Sequence, residues 1–509
     1  MQMMTHRLQE YLDALIEADL LVEHHGISAL LANDVELVTY DSRKTGPGTL
    51  YFCKGIHFNT KYLEESLAKG AIAYVSQKIE LNDPKEQIPS IIVTDIRKAM
   101  AIAANLYFNE AWKNFTLIGI TGSKGKSTTA FFTRDILDDY LADQNLPPCA
   151  ILSSIENFDG IVKEDESLNT TKESFPLHQH FYNAAQSGTK YMVTEVSSQG
   201  LKYHRTLGVM YNVGVFMNIG RDHISPVEHS DLEDYIASKE LLFKQCKAAC
   251  IHMDTPYSQR FLEAAQNSET VEHILTFGME PGSDIQGYDT KTSLEGITFR
   301  ATGPDFDEEF AIGLTGLFNV TNALAAISIC HYLGIPMQFI KSGLYRSRVS
   351  GRMELFYNPS HSKFVLMDYA HTYDSMTLML QSTKKEYPDK KIFVVFGCPG
   401  NKAESRRKDL PEAAAPYVDK MFITMEDPGE EPVMDICNEI ALYAKQAGAN
   451  YEIVPDRVEA IERAIFEADE NTIVAVTAKG WETRHRIGNE YIKTVSDGEV
   501  IVETLKKYL

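Results

Sequence analysis

The stretch that most narrows what this chain can fold into is LIGITGSKGKSTTAFF, residues 117–132. An apolar run that reads as a strand passes through small and polar residues ending in Gly-Lys-Ser, then enters a segment able to start a helix. A strand, a glycine-rich turn and a helix N-terminus in succession aim several backbone N–H groups and the positive end of the helix dipole at one point. That is the construction of a phosphate cradle. Lys126 can reach β- and γ-phosphates as a point charge, and the Ser127 hydroxyl is of the type that ligates Mg²⁺ beside them. Gly122, Ser123, Lys124, Gly125 and Thr128 complete the loop. The usual pattern G-x-x-x-x-G-K-[ST] has Ile120 here in place of its first glycine, with Gly122 displaced into the loop, and an ordinary strand-to-helix turn is the alternative reading.

A chain of 509 residues is too long for one core, and at about 150 residues per domain it should form three. Residues 1–110 read as a small α/β domain, beginning with an amphipathic helix and closing with a helix through RKAMAIAANLYF. Residues 111–347 alternate strands (TLIGIT, YMVTEV, NVGVFMN, AACIHM) with helices, the arrangement of a mostly parallel sheet. The β-rich piece DIQGYDTKTSLEGITFRAT and the helix FNVTNALAAISICHYL complete this part. Residues 348–509 form a third, Rossmann-like α/β unit with strands KFVLMDYA, KIFVVFG, KMFITM and TIVAVTA. Ligands in such sheets bind beyond the carboxyl ends of the strands, where the chain's polar motifs also fall.

The formal net charge of −22 argues against a nucleic-acid partner, because clustered Lys and Arg drive binding to phosphate backbones. Seven cysteines without paired metal-ligand spacing suit reduced thiols better than a disulfide framework. The acidic residues in the N-terminal helix pattern do not resemble an export signal, and no apolar run reaches the ~20 residues needed to cross a bilayer. A cytoplasmic protein without membrane insertion is expected.

A phosphate cradle needs metal ligands before it becomes a catalyst. Glu195 ends the strand of YMVTEVSSQG and His223 follows another in VFMNIGRDH, so a carboxylate and an imidazole at strand ends could bind Mg²⁺. A surface glutamate and a polar-turn histidine are the plainer alternative. Lys239 sits in the amphipathic stretch DLEDYIASKELLF, where a solvated lysine is what physics alone favours. Asn319 and Asn322 are three apart and share a helical face, so an amide there could pair with adenine N6 and N7, although helix capping by Asn319 is equally cheap.

The ordered set DSRKTGPG, TGSKGKSTT, NTTKES, EVSSQGL, MNIGRDH, ASKELLF, LTGLFNVTNALAA, SGRMELF, DYAHTYDSM, VVFGCPGN, EDPGEEP and TAKGWE spans almost the whole chain and resembles the Mur ligase family, specifically its tripeptide synthetases. The resemblance implies a UDP-binding first domain, a central P-loop ATPase and a third domain supplying the amino acid, hinged near Ser350, with the active site in their shared crevice. It implies a monomer using ATP and Mg²⁺, with Lys239 N6-carboxylated as an acidic metal ligand beside Ser127, Glu195 and His223. Ser42 would lie near the uracil. Thr170, Thr171, Ser197 and Arg205 would hold the muramoyl-dipeptide, and Arg352, Asp368 and the catalytic His371 would approach ATP together with Asn319, Asn322 and Lys126. Lys172 departs from the motif, which usually has proline after the paired threonines.

The implied reaction is ATP-dependent amide formation. The terminal carboxylate of UDP-N-acetylmuramoyl-L-alanyl-D-glutamate attacks the γ-phosphate, and an amine then displaces phosphate from the acyl phosphate. Relatives that add meso-diaminopimelate usually carry arginine at the last position of EDPG, where its fork clamps the distal carboxylate. Gly429 stands there, while Glu426, Asp427 and Glu482 suggest an acidic pocket suited to a bare ammonium. L-lysine is therefore the expected substrate, with Lys402 or Arg406 for its α-carboxylate; addition of diaminopimelate or ornithine, or a non-catalytic nucleotide-binding paralogue, is the alternative.

Overall fold

Alternating strand and helix patterns should fold into parallel sheets with helices on their faces, and the computed structural model has this architecture. It describes residues 5–55, 58–81, 88–164, 169–220 and 228–508. The chain divides into one unit of residues 1–277 with 325–339 and a second of residues 278–324 with 340–509.

In the first unit, β1 (Leu21–His25), β2 (Leu37–Thr39), β3 (Thr49–Phe52), β4 (Ala71–Ser76) and β5 (Ser90–Val93) form a sheet ordered β1-β5-β4-β3-β2, parallel except for β1. The helix Leu8–Glu17 buries Leu8, Tyr11, Leu12 and Leu15, one stripe at helical spacing, against Leu50, Val75 and Ile91 of this sheet. Asp95 caps the helix Ile96–Tyr107 by accepting from the N–H groups of Arg97 and Lys98.

The larger sheet of this unit contains β6 (Thr116–Thr121), β7 (Ala150–Leu152), β8 (Asn157–Phe158), β9 (Lys163–Glu164), β10 (Tyr191–Glu195), β11 (Tyr211–Phe216), β12 (Cys246–His252) and β13 (His273–Gly278), in the order β9-β8-β7-β10-β6-β11-β12-β13. The run from β7 to β13 is parallel, and β7, β8 and β9 pair antiparallel. β6 is apolar at successive positions because helices cover both faces of a parallel sheet. Strand order reverses at β6, and the register sets Ile120 opposite both Glu195 and Val215. The buried Ile120 is thus a core residue of the strand, and the turn begins after it.

The second unit has an antiparallel meander of β14 (Ile285–Ser293), β15 (Gly296–Thr302) and β16 (Asp307–Ile312). It also has a sheet of β17 (Glu354–Tyr357), β18 (Phe364–Asp368), β19 (Lys391–Phe396), β20 (Lys420–Ile423), β21 (Tyr451–Ile453) and β22 (Thr472–Thr477), ordered β17-β18-β22-β19-β20-β21 and parallel apart from β17. The hairpin of β23 (Arg484–Ile487) and β24 (Glu490–Lys493) follows. The segments DYAHTY, GCPGN, EDPG and AKGWE therefore all leave carboxyl ends of this one sheet. No described helix is long and apolar enough to cross a membrane.

Candidate active site

The phosphate loop is built as its residue types require. Gly125 caps the helix Lys126–Asp143, whose N-terminus faces the loop. Gly122 has φ +155°, and a Cβ there would stand 2.7 Å from Met217 Cβ, so the chain passes too close to its neighbour for a side chain. Lys126 Nζ donates to the carbonyls of Gly122 (2.8 Å) and Ser123 (3.2 Å), folding the ammonium over the loop. The Ser123 hydroxyl lies 2.8 Å from Tyr235 Oη and accepts from the Gly220 N–H, which ties the loop to its neighbours. Asn218, inside MNIGRDH but given no role there, brackets the Lys124 peptide: its Oδ1 accepts from Lys124 N–H at 2.9 Å and its amide donates to the Lys124 carbonyl at 3.0 Å. Thr128 is buried in the first helical turn.

Beside the loop, Ser127 Oγ is 3.1 Å from Ser154 Oγ, and Ser154 donates through its N–H (2.9 Å) and hydroxyl (3.3 Å) to Glu195 Oε1. The structure thus brings Ser127 and Glu195 together through a serine that no motif announced. Hydroxyl and carboxylate oxygens are the hard donors Mg²⁺ takes, so this set fits that ion with phosphate oxygens completing the shell. Among the described residues no trio of His, Cys, Asp and Glu gathers as a metal cluster, and His223 lies outside them. Lys239 is buried, not solvated, on the helix Leu232–Glu240, with Nζ 4.5 Å from the ring of Tyr235. A carbamate on that nitrogen would present oxygen donors from a helix that already reaches Ser123. Buried His229 packs on Tyr235, and burial lowers its pKa.

The residues expected to hold the muramoyl-dipeptide form a second cluster. Thr171 Oγ1 donates to the Glu195 carbonyl (3.1 Å) and accepts from the Ser197 N–H (2.9 Å), while Ser197 Oγ caps a short helix through the Gly200 N–H. Arg205 donates to the Thr171 carbonyl at 2.8 Å and pairs with Glu173 at 2.7 Å. Glu173 is a hub that sequence reading missed: Lys54 also reaches it, at 2.6 Å. Burial alone would raise the Glu173 carboxyl, but Arg205 and Lys54 more than offset this and hold it below its ordinary range. Thr170 is half-buried beside them, and Lys172, in place of the usual proline, pairs with Glu164 at 2.8 Å. Ser42 is buried, with its hydroxyl on Glu65 and its carbonyl receiving Lys69 Nζ.

In the second unit, Asn319 and Asn322 are both buried. Asn319 donates to the Thr315 carbonyl, and Asn322 donates to Asn319 Oδ1 at 2.8 Å, so they brace one another and the Asn319 oxygen is not spent on a helix cap. Asp368 accepts the N–H groups of Met353 and Ala370. His371 Nδ1 lies 2.7 Å from the Tyr369 carbonyl, and the Arg352 guanidinium stands 5.1 Å from the Tyr369 ring. Tyr369 also donates to Glu482 at 2.8 Å, joining the DYAHTY segment to the AKGWE segment.

Here one expectation changes. Asp427 and Glu482 do not stand as bare carboxylates, because buried Lys479 bridges them at 3.0 and 2.6 Å. Burial alone would raise Asp427, yet His485 and Lys479 hold it well below the usual carboxylate range. Glu426 is different: burial pushes it up to about 7 against the opposing charges of Arg457 and Arg406, and its Oε2 has no hydrogen-bond partner among the described residues. Arg406 is therefore near enough to act on this carboxyl, whereas Lys402 is exposed on the same segment. Gly429 has φ +59°, donates its N–H to Arg486 O and accepts from Gly488 N–H, so glycine there also has a conformational reason.

A Gly-Lys-Ser phosphate loop at the switch point of a parallel sheet, with an acidic strand end beside its serine, defines a P-loop α/β protein. Residues 120–330 match the Mur ligase middle domain, and residues 351–480 match the Mur ligase, glutamate ligase domain. The chain belongs to the Mur ligase family. It is 32% identical over 502 residues to a UDP-N-acetylmuramyl-tripeptide synthetase of Bifidobacterium longum, covering 92% of this chain and 95% of that one. It is 34% identical over 478 residues to a 2,6-diaminopimelate ligase of Clostridioides difficile, covering 93% and 96%. An L-lysine ligase of Enterococcus faecalis is 32% identical over 498 residues, covering 95% and 96%. Among solved structures, a UDP-N-acetylmuramoyl-L-alanyl-D-glutamate–2,6-diaminopimelate ligase superposes with TM-score 0.70 at 23% identity over 99% of both chains. MurF of Thermotoga maritima in complex with ADP gives 0.57 at 18% identity over 93% of this chain and 97% of that one. These two likenesses are of fold.

Proposed function

We propose that this chain adds a diamino acid, L-lysine in the reading its residues favour, to UDP-N-acetylmuramoyl-L-alanyl-D-glutamate through an acyl phosphate. Membership of the Mur ligase family carries with it ATP-dependent addition of an amino acid to a UDP-N-acetylmuramoyl peptide in peptidoglycan synthesis. The observation that carries the reading is the joined set of Lys126 on the loop, Ser127 and Glu195 linked through Ser154, and buried Lys239.

The terminal carboxylate of the dipeptide attacks the γ-phosphorus, ADP leaves with the bridging electrons, and an acyl phosphate results. The attacking and attacked groups are both anionic, so the barrier falls where cations neutralise them and fix the in-line geometry. Lys126 supplies such a charge from the loop. Ser127, Glu195 and N6-carboxylated Lys239 would hold Mg²⁺, with His223 expected to join them. Bound Mg²⁺ neutralises phosphate oxygens. Arg352, Asp368, His371, Asn319 and Asn322 are assigned to the nucleotide, and Thr170, Thr171, Ser197, Arg205 and Ser42 to the UDP-muramoyl substrate. The amine of the incoming amino acid then attacks the acyl carbon, loses a proton, and expels phosphate to leave the amide.

The absence of an arginine at Gly429 favours lysine over diaminopimelate, while the relatives include ligases of both kinds. The three-part division at residues 110 and 347, a monomeric state and a cytoplasmic location belong to the same proposal, the last supported by seven unbridged cysteines. A panel of amino acids incubated with ATP and the nucleotide-dipeptide, read by product mass, tests it. Lysine should be added efficiently, and efficient diaminopimelate addition with little lysine addition would refute the choice. Carboxylate ¹⁸O should appear in released phosphate, and its absence would sink the acyl-phosphate route.

A further inference from the structure

Lys479 leaves the carboxyl end of β22 in the segment AKGWE, and its side chain is almost completely buried. Its ammonium donates to Asp427 Oδ1, which comes from the turn after β20, and to Glu482 three residues onward. Each carboxylate is fixed by further donors. Asp427 also accepts from the Arg486 N–H at 3.1 Å and has His485 Nδ1 at 3.4 Å, while Glu482 receives the Tyr369 hydroxyl. One ammonium thus serves two carboxylates on different segments. A buried charge is tolerated only where it is paired and hydrogen-bonded, so this bridge fixes geometry as well as charge.

We infer that Lys479 is the positioning residue that tunes the amino-acid site: by bridging Asp427 and Glu482 it fixes both carboxylates and cancels one of their two charges, leaving one negative charge for a single ammonium on the incoming side chain. This rests on the reading of the EDPG turn as the amino-acid site. It also replaces the simpler picture of an open acidic pocket with one whose charge is metered from within. Without Lys479, two carboxylates would face each other unbridged, one would tend to take up a proton, and the substrate ammonium would settle in the vacated position instead of its own.

The test is steady-state kinetics of Lys479→Met and Lys479→Arg with lysine, ATP and the nucleotide-dipeptide each varied. For Lys479→Met the KM for lysine should rise about tenfold or more, as expected for loss of a buried charged partner, while the KM for ATP and for the nucleotide-dipeptide stays within about twofold. Lys479→Arg, which keeps the charge, should recover much of the lysine affinity. Should Lys479→Met not fold, Glu482→Gln leaves a matched Asp427–Lys479 pair with no net charge, and the preference for lysine over norleucine should fall about tenfold. An unchanged lysine KM in Lys479→Met, or an unchanged lysine-to-norleucine preference in Glu482→Gln, would overturn the inference. A wild-type enzyme that ligates no amino acid removes the underlying reading; one that ligates lysine while Lys479→Met keeps its KM removes only the inference.

Discussion

Glu426 gives the sharpest quantitative expectation. Its carboxyl lies against the β20 turn, excluded from water, and moves from its ordinary 4.5 to about 7, with burial as the largest cause. Arg457 and Arg406 act in the opposite direction, but Arg457 is already committed to a two-fork pair with Asp497 at 2.7 and 2.6 Å. The folded state therefore prefers Glu426 protonated, while the unfolded chain ionises it near 4.5. Below that pH both states carry the proton and the group is neutral to stability. As pH rises from there to about 7 the unfolded chain binds fewer protons than the folded one, so folding loses stability, and above about 7 the loss is complete. At about 1.4 kcal/mol per pH unit the full displacement amounts to roughly 3 kcal/mol.

Glu426→Gln removes the ionisation and keeps the shape. Any packing or hydrogen-bond defect of glutamine is independent of pH, so the diagnostic is the pH dependence of the difference from wild type. Thermal melting of both proteins should show the variant gaining on wild type as pH rises from 4.5 to about 7 and then holding level. At roughly 2–4 °C per kcal/mol for a unit of this size, the gain should approach about 10 °C. A difference in melting midpoint that stays constant across this range would refute the reasoning, because it would mean that Glu426 titrates alike in the folded and unfolded chain.

The other predictions concern the phosphate loop. Lys239→Ala should nearly abolish turnover, and short carboxylates added to the buffer should partly restore it; a variant that kept most of its activity would exclude the carbamate. Asn218→Ala removes both hydrogen bonds that bracket the Lys124 peptide, so at the usual ~1 kcal/mol for each of the two the KM for ATP should rise about thirtyfold, with the KM for the amino acid unchanged, measured by coupled ADP release.

Much of the fold was legible because its signals are local. The apolar strand runs, the Gly-Lys-Ser turn and the helical stripes each occupy a short window, and the elements stand where those windows place them. The same holds for Lys126, Ser127 and Glu195, since strand ends in a parallel sheet converge by topology alone. Lys239 could not be placed from its helix pattern, because a lysine at a helical position reads as solvated until the neighbours that cover it are known, and here they bury it.

What stayed hidden is what depends on segments far apart in the chain. Asn218 is 94 residues from the loop peptide it brackets, Ser154 is 41 from Glu195, and Lys479 is 52 from Asp427. Ser154 is a short polar residue of a kind found in many loops, and although Asn218 sits inside MNIGRDH, neither window points to the distant peptide or carboxylate it bonds. Lys479 shows why charge is the hardest property to read this way. The acidic string EDPGEEP contains no cation, and a window around it reports an uncompensated pocket. Yet the Coulomb interaction that decides the matter acts across 3 Å of space from another strand end. Composition along the chain therefore gives the charge of a segment, and only the fold gives the charge of a site.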